Sequence, residues 1–277
     1  MNNYIKIFFE SNNSELFELL EAEISTTEQL EGVEYIDNGC IAYVKSDYDN
    51  YEEFKAIAKK YNYEIRTEDL EHKNWNEVWE SNFEPITLDG FCHIRADFHP
   101  PLVHATPYEI VITPKMSFGT GHHATTQQMM QFMKAINFSK QKVLDFGTGT
   151  GILAILAEML GSEEVLAIDN DPWCVENTTE NCERNNCKHI TASIDDISTL
   201  ELTNYYNVLL ANINRHILLE YMPKMRSLIH DNGTLLLSGI LQEDVDIILE
   251  CTNANRFELV EQTSLNNWIA MKLKAVE

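Results

Sequence analysis

Hydrophobic residues recur in two periods along the chain, and the way the periods alternate divides it into two parts. Residues 4–9 alternate as a strand does. Ser14 caps a helix reaching Ile24, with Phe17, Leu20 and Ile24 at helical spacing. Residues 33–36 and 41–44 are short strands on either side of Asp37-Asn38-Gly39, a hairpin signal. Residues 51–61 form a second amphipathic helix with Phe54, Ile57 and Ala58 facing inward, and residues 63–67 a last strand. The order β-α-β-β-α-β predicts a small ferredoxin-like α+β domain over residues 1–67. Residues 68–84 are charged and aromatic, with Trp75 and Trp79 about one helical turn apart. They predict a linker helix whose tryptophans dock on a neighbour.

The remainder, residues 85–277, has a different rhythm. Two strand-like runs, 90–96 and 109–113, precede a glycine- and histidine-rich segment and a helix over 127–136. Strands at 143–146, 165–168, 189–192, 208–211 and 234–238 then alternate with helices at 152–160, 173–185, 216–229 and 243–250. Such alternation predicts a doubly wound, parallel, Rossmann-like sheet. Strands at 257–261 and 268–273, joined by polar residues, predict an antiparallel hairpin that closes it.

Composition narrows what this α/β chain can do. With 277 residues and 44% hydrophobic content it can bury a sizeable core. Its formal net charge of -24 disfavours direct binding to nucleic acid and favours a basic partner, apart from any role in solubility. The six cysteines, Cys40, Cys92, Cys174, Cys182, Cys187 and Cys251, include no Cys-x-x-Cys pair. They suggest neither a metal site nor a disulfide framework, and fit reduced thiols in a cytoplasm. The amino terminus lacks the pattern of a signal peptide, and no run approaches the roughly 20 apolar residues of a membrane span.

The chemistry lies at residues 143–151, Val-Leu-Asp-Phe-Gly-Thr-Gly-Thr-Gly. Gly147, Gly149 and Gly151 follow an apolar strand and open a helix. They permit a tight turn and a close approach of backbone to ligand. Asp169 ends the next strand, where a carboxylate accepts hydrogen bonds from ribose hydroxyls. Together these predict a nucleoside cofactor. Gly149-x-Gly151-x-x-Ala154 also fits a nicotinamide dinucleotide enzyme. Three features favour S-adenosylmethionine instead: Asp145 two residues before the first glycine, Asp195 and Asp196 after the third strand, and Asn212 at the carboxyl edge of the fourth.

With Phe118-Gly119-Thr120-Gly121-His122-His123-Ala124-Thr125-Thr126, Ile168-Asp169-Asn170-Asp171-Pro172, Ala211-Asn212-Ile213 and Leu237-Ser238-Gly239-Ile240-Leu241, these motifs resemble the PrmA family, the methyltransferases of ribosomal protein L11, over nearly the whole chain. His122 and Ala124 stand where that family usually has threonine and proline, and Asn214-Arg215-His216 replaces an apolar continuation. The resemblance implies cofactor contacts at Thr126, Gly147, Asp169 and Asn212, to which the glycine reading adds Gly149. It also implies a substrate-recognition role for residues 1–67, and methylation of lysine side-chain and N-terminal amines on that basic ribosomal protein by a monomer. Methyl transfer needs a neutral amine, positioned and partly desolvated. Asn212 is the residue expected to orient it. His122 and His123 are alternative bases or helix caps, and Phe118 a wall of the acceptor site or of the core. Competing readings are a methyltransferase acting on another protein or a small molecule, and a non-catalytic cofactor-binding adaptor of the ribosomal protein.

Overall fold

The computed structural model describes residues 4–10, 20, 23–24, 27, 30–36, 39–45, 52–69, 83–102, 106–113, 115 and 117–277. The chain separates into two compact units, Met1–Asn82 and Phe83–Glu277. Most of the first expected helix, the turn residues Asp37 and Asn38, and the linker tryptophans Trp75 and Trp79 lie outside the described residues.

In the first unit, β1 (Tyr4–Glu10), β2 (Leu30–Ile36), β3 (Gly39–Lys45) and β4 (Glu64–Asp69) form one antiparallel sheet in the order β2-β3-β1-β4, with α1 (Glu52–Tyr61) between β3 and β4. Ile36 pairs with Gly39 across the two-residue hairpin. Residues of alternate parity along β1, Ile5, Ile7 and Phe9, turn to one face. They meet Ala42, Val44, Phe54, Ile57, Leu20 and Ile24 in a single buried cluster. This strand order is the one a split β-α-β unit produces.

The second unit contains a three-stranded sheet, β5 (Ile86–Leu88), β6 (Cys92–Ala96) and β7 (Tyr108–Ile112), and a larger sheet. The larger sheet comprises β8 (Lys142–Phe146), β9 (Glu164–Asp169), β10 (Ile190–Ile194), β11 (Tyr206–Asn212), β12 (Ile229–Leu241), β13 (Phe257–Leu265) and β14 (Trp268–Ala275). Its order is β10-β9-β8-β11-β12-β14-β13. The first five strands are parallel, while β14 runs antiparallel to both β12 and β13. A dinucleotide-binding sheet continues parallel at this edge in the order 3-2-1-4-5-6; here the closing hairpin takes that place.

The apolar runs follow from this topology. Val208 and Leu210 of β11 enter one core, with α2 (Ala124–Lys134) and α3 (Ile152–Met159) and the inner face of the small sheet. Leu209 and Ala211 enter the other, with α5 (Arg215–Leu228) and α6 (Val245–Ala254). A strand covered on both faces reads as continuously hydrophobic. Leu210 is fully buried in the sheet centre. Leu210→Ala should therefore destabilise the chain by about 2–5 kcal/mol, measured by denaturant unfolding.

Three elements differ from the sequence expectation. α2 begins at Ala124 rather than near Gln127, because the His123 side chain accepts the Thr125 N–H and caps it. β12 extends well beyond residues 234–238 as the partner of both β11 and β14, with a register irregularity near Gly239. β5 is a three-residue strand, too short to show a period.

Candidate active site

The carboxyl ends of the parallel strands open into a cleft of about 590 Å³. Sheet order sets the sequence of residues along it. Asp195 and Asp196 follow β10, Asp169 ends β9, Gly147 and Gly149 follow β8, Asn212 ends β11, and Gly239 lies in β12. Trp268 is the first residue of β14, and it reaches this edge because β14 alone among these strands runs the other way.

The glycine loop has no room for side chains. Gly147, Gly149 and Gly151 all have positive φ, where non-glycine residues are strained. A Cβ on Gly147 would lie 2.3 Å from Ile213 Cγ2, and one on Gly149 would lie 2.3 Å from the Phe118 carbonyl oxygen. The second contact shows how the Phe118–Gly121 segment is fastened. Thr150 donates its N–H to the Phe118 carbonyl at 2.9 Å and its hydroxyl to the Gly119 carbonyl at 2.6 Å. From α4 (Pro172–Arg184), Thr178 donates to the Gly149 carbonyl and Asn181 to the Thr150 carbonyl. Asn181 also accepts the Thr113 N–H, while Asn185 pairs with both polar backbone groups of Val111. The edge strand β7 is thus satisfied by helix side chains instead of a further strand.

Asp169 holds the loop from the other side. One carboxylate oxygen accepts the Gly149 N–H at 3.0 Å and the other the Asp171 N–H at 3.1 Å. Each oxygen retains acceptor capacity toward the cleft. Asp195 and Asp196 differ. Asp196 caps a 3-10 turn, and the Ser198 hydroxyl and N–H hold its carboxyl below the usual range. Asp195 lines the cleft with its side chain bonded to the Ser193 hydroxyl.

Asn212 and Thr126, read from motifs 86 residues apart, meet: Asn212 Nδ2 donates to Thr126 Oγ1 at 3.4 Å. Thr126 is fully buried and stands behind Asn212, whereas Gly147, Gly149, Asp169 and Asn212 line the cleft. Asn212 Oδ1 is buried without a hydrogen-bond partner. A buried acceptor in that state calls for a donor from a ligand.

Asp145 faces inward. It accepts the Thr148 hydroxyl at 2.8 Å, is fully buried, and burial lifts its carboxyl to about 7 against that hydrogen bond. Its folded affinity for a proton exceeds the unfolded one. The associated stability is complete below about pH 4 and is lost as the pH rises through about 7. Thermal stability should accordingly fall between about pH 5 and pH 8. Asp145→Asn, which cannot ionise, should flatten that slope in a series of melting curves.

The two histidines separate. His122 Nε2 donates to the Glu84 carbonyl at 3.0 Å, its Nδ1 meets the Thr120 hydroxyl, and its ring packs on Phe83 away from the cleft. His123 lines the cleft between Phe118 and Trp268. His123 Nδ1 is engaged at the start of α2, where it meets the Thr125 hydroxyl at 2.8 Å and the Thr125 N–H at 3.4 Å. Sequence reasoning overlooked Trp268, Cys174, Glu220 and Tyr221 as cleft residues. Only the antiparallel course of β14 gives Trp268 away.

Residues 9–276 match the family model described as ribosomal protein L11 methyltransferase (PrmA). The chain is similar to the ribosomal protein L11 methyltransferase of Porphyromonas gingivalis, with 46% identity over 72% of this chain and 69% of that one. It is also similar to that of Chlorobaculum tepidum, with 32% identity over 97% and 96% of the two chains. The structure of a ribosomal protein L11 methylase from Lactobacillus delbrueckii subsp. bulgaricus superposes with a TM-score of 0.64 at 27% identity, covering 70% of this chain and all of that one. A match over nearly the full length, on the sheet and cleft described above, places this chain in the ribosomal protein L11 methyltransferase (PrmA) family.

Proposed function

We propose that the chain transfers methyl groups from S-adenosylmethionine to lysine side-chain and N-terminal amines of ribosomal protein L11, acting as a monomer in the cytoplasm. The observation that carries the methyl-transfer reading is the partnerless Asn212 Oδ1 set among a side-chain-free glycine loop and the Asp169 carboxylate. These residues fit the cofactor. Asp169 would take its ribose hydroxyls and Asp195 its adenine amino group. Gly147, Gly149 and Asn212 would hold the remainder, with Thr126 supporting Asn212. When bound, S-adenosylmethionine supplies a methyl group on a sulfonium, and transfer leaves a neutral thioether and moves the positive charge to the accepting nitrogen.

The protein's own part is positioning. Asn212 Oδ1 accepts an N–H from the amine and so aims its lone pair at the methyl group. No strong base is needed, which agrees with His123 Nδ1 being engaged at the start of α2 and with His122 facing Glu84. The cleft lining includes Asp169, Asp195, Asp196 and Glu220 and, among the described residues, no lysine or arginine. That field suits a cationic cofactor and a basic substrate. Among the described residues no helix is long and apolar enough to cross a membrane.

Substrate identity rests on family membership, and we assign residues 1–67 to substrate recognition and residues 68–84 to a linker. The test compares intact ribosomal protein L11 with a short peptide carrying one of its lysines. The expected result is a much higher kcat/KM on the intact protein. Equal values on both would remove the recognition role of the first unit.

A further inference from the structure

We propose that Cys182 and Cys187 form a peroxide-reactive dithiol outside the cleft, in which Cys187 attacks the peroxide and Cys182 resolves the product as a disulfide. The pairing follows from how α4 ends. The helix stops at Arg184, and Asn186 takes a positive φ of 57°. The Cys187 N–H then donates to the Cys182 carbonyl at 2.9 Å, and the Asn186 N–H to the Glu183 carbonyl at 3.1 Å. These two bonds define a helix end in which the side chain just past the left-handed residue meets the one three places before the cap. An apolar contact commonly fills those two positions. Here both are cysteine, both are free thiols, and both pack on the core of the second unit while staying partly exposed.

The two sulfurs are not equivalent. The Cys182 S–H donates to the Cys187 sulfur, which lowers the Cys187 pKa and raises that of Cys182. Lys188 adds to the lowering, while burial and Glu158 oppose it. Cys187 therefore supplies the thiolate, which is the reactive form, and Cys182 the thiol held beside it. The other four cysteines are set apart. Cys40 and Cys92 are fully buried, and burial pushes Cys174 and Cys251 up.

The Cys187 thiolate attacks one oxygen of hydrogen peroxide. An S–O bond forms, the O–O bond breaks and hydroxide leaves, giving a sulfenic acid. The Cys182 sulfur then attacks the Cys187 sulfur. The S–S bond forms, the S–O bond breaks, and the departing hydroxide leaves as water with the Cys182 proton. Two thiols are oxidised and the peroxide is reduced to water. The last turn of α4 also carries Asn181 and Asn185, which hold the Thr150 carbonyl and the backbone of β7. Because the turn that pairs the sulfurs is already formed, the disulfide leaves those asparagines in place. Without Cys182 the sulfenic acid would proceed irreversibly to sulfinic and sulfonic acids, putting an anion against the apolar core.

The test treats the full chain with hydrogen peroxide, blocks the remaining thiols with iodoacetamide and maps the cysteines by mass spectrometry. The wild type should form a Cys182–Cys187 disulfide that dithiothreitol reverses, at least about tenfold faster than any change at Cys92, Cys174 or Cys251. Cys182→Ser should carry a sulfenic acid on Cys187 that dimedone traps, and on longer exposure a sulfinic acid, with a melting temperature lower by about 5 °C. Cys187→Ser should lose the fast reaction. Sulfenic or sulfinic acid building up on Cys187 of the wild type while Cys182 stays free would overturn the pair. So would oxidation of the other cysteines at the same rate, or undiminished reaction in Cys187→Ser.

Discussion

Asp169→Ala should weaken binding of S-adenosylmethionine by about two to four orders of magnitude. Hydrogen bonds to a charged acceptor contribute roughly 1.5–3 kcal/mol each, and two ribose hydroxyls would share this carboxylate. The substitution has a second consequence. It leaves the N–H groups of Gly149 and Asp171 without their acceptor, so the glycine loop and the start of α4 lose their common anchor. Asp169→Asn retains one acceptor oxygen and should fall between the two. Calorimetric titration with the cofactor checks this. Affinity within a few-fold of wild type in Asp169→Ala would show that the ribose is held elsewhere.

Asn212→Ala should act mainly on turnover. Removing Oδ1 would take away the group proposed to aim the amine lone pair, and poor positioning of that kind costs about 100-fold in rate. Loss of one hydrogen bond to the cofactor should weaken its binding by about tenfold. Thr126 Oγ1 would lose its neighbour without being opened to solvent, so the fold should persist. Steady-state kinetics on ribosomal protein L11 separate the effects: kcat should fall by a larger factor than cofactor affinity. Normal turnover with normal affinity would remove Asn212 from the mechanism.

Much of this site is legible in the sequence, because its parts sit at strand ends that periodicity locates well. Gly147, Gly149, Asp169 and Asn212 were each found as a special residue just past an apolar run, and a parallel sheet brings all such positions to one edge. Thr126 was found only through resemblance. Nothing in the local pattern reveals that a buried threonine on α2 will sit behind an asparagine 86 residues later. Asp145 was read as a cofactor signal, and the structure gives it a different immediate duty, receiving the Thr148 hydroxyl inside the loop. The histidines were ambiguous because the sequence does not contain their partners, the Glu84 carbonyl for His122 and the Thr125 N–H for His123. Trp268 was hidden for a topological reason. A residue at the start of a strand belongs at the opposite edge of a parallel sheet, and it reaches the cleft only because β14 is reversed.

The same reversal limits what the glycine loop can mean by itself. Its spacing also suits a dinucleotide enzyme, and the distinction lies at the far edge of the sheet, where β14 is inserted between β12 and β13. The carboxylate end and the aromatic end of the cleft are therefore built by different parts of the chain. Loss of Asp169 should be felt as lost cofactor, and loss of Asn212 as lost transfer.

The most direct measurement of the central claim is a single-turnover reaction of the full chain with methyl-labelled S-adenosylmethionine and purified ribosomal protein L11, followed by peptide mapping. The account predicts label on lysine side-chain and N-terminal amine nitrogens, with whole-methyl increments in mass. Tight cofactor binding with no label on the ribosomal protein, or label on groups other than amines, would contradict it.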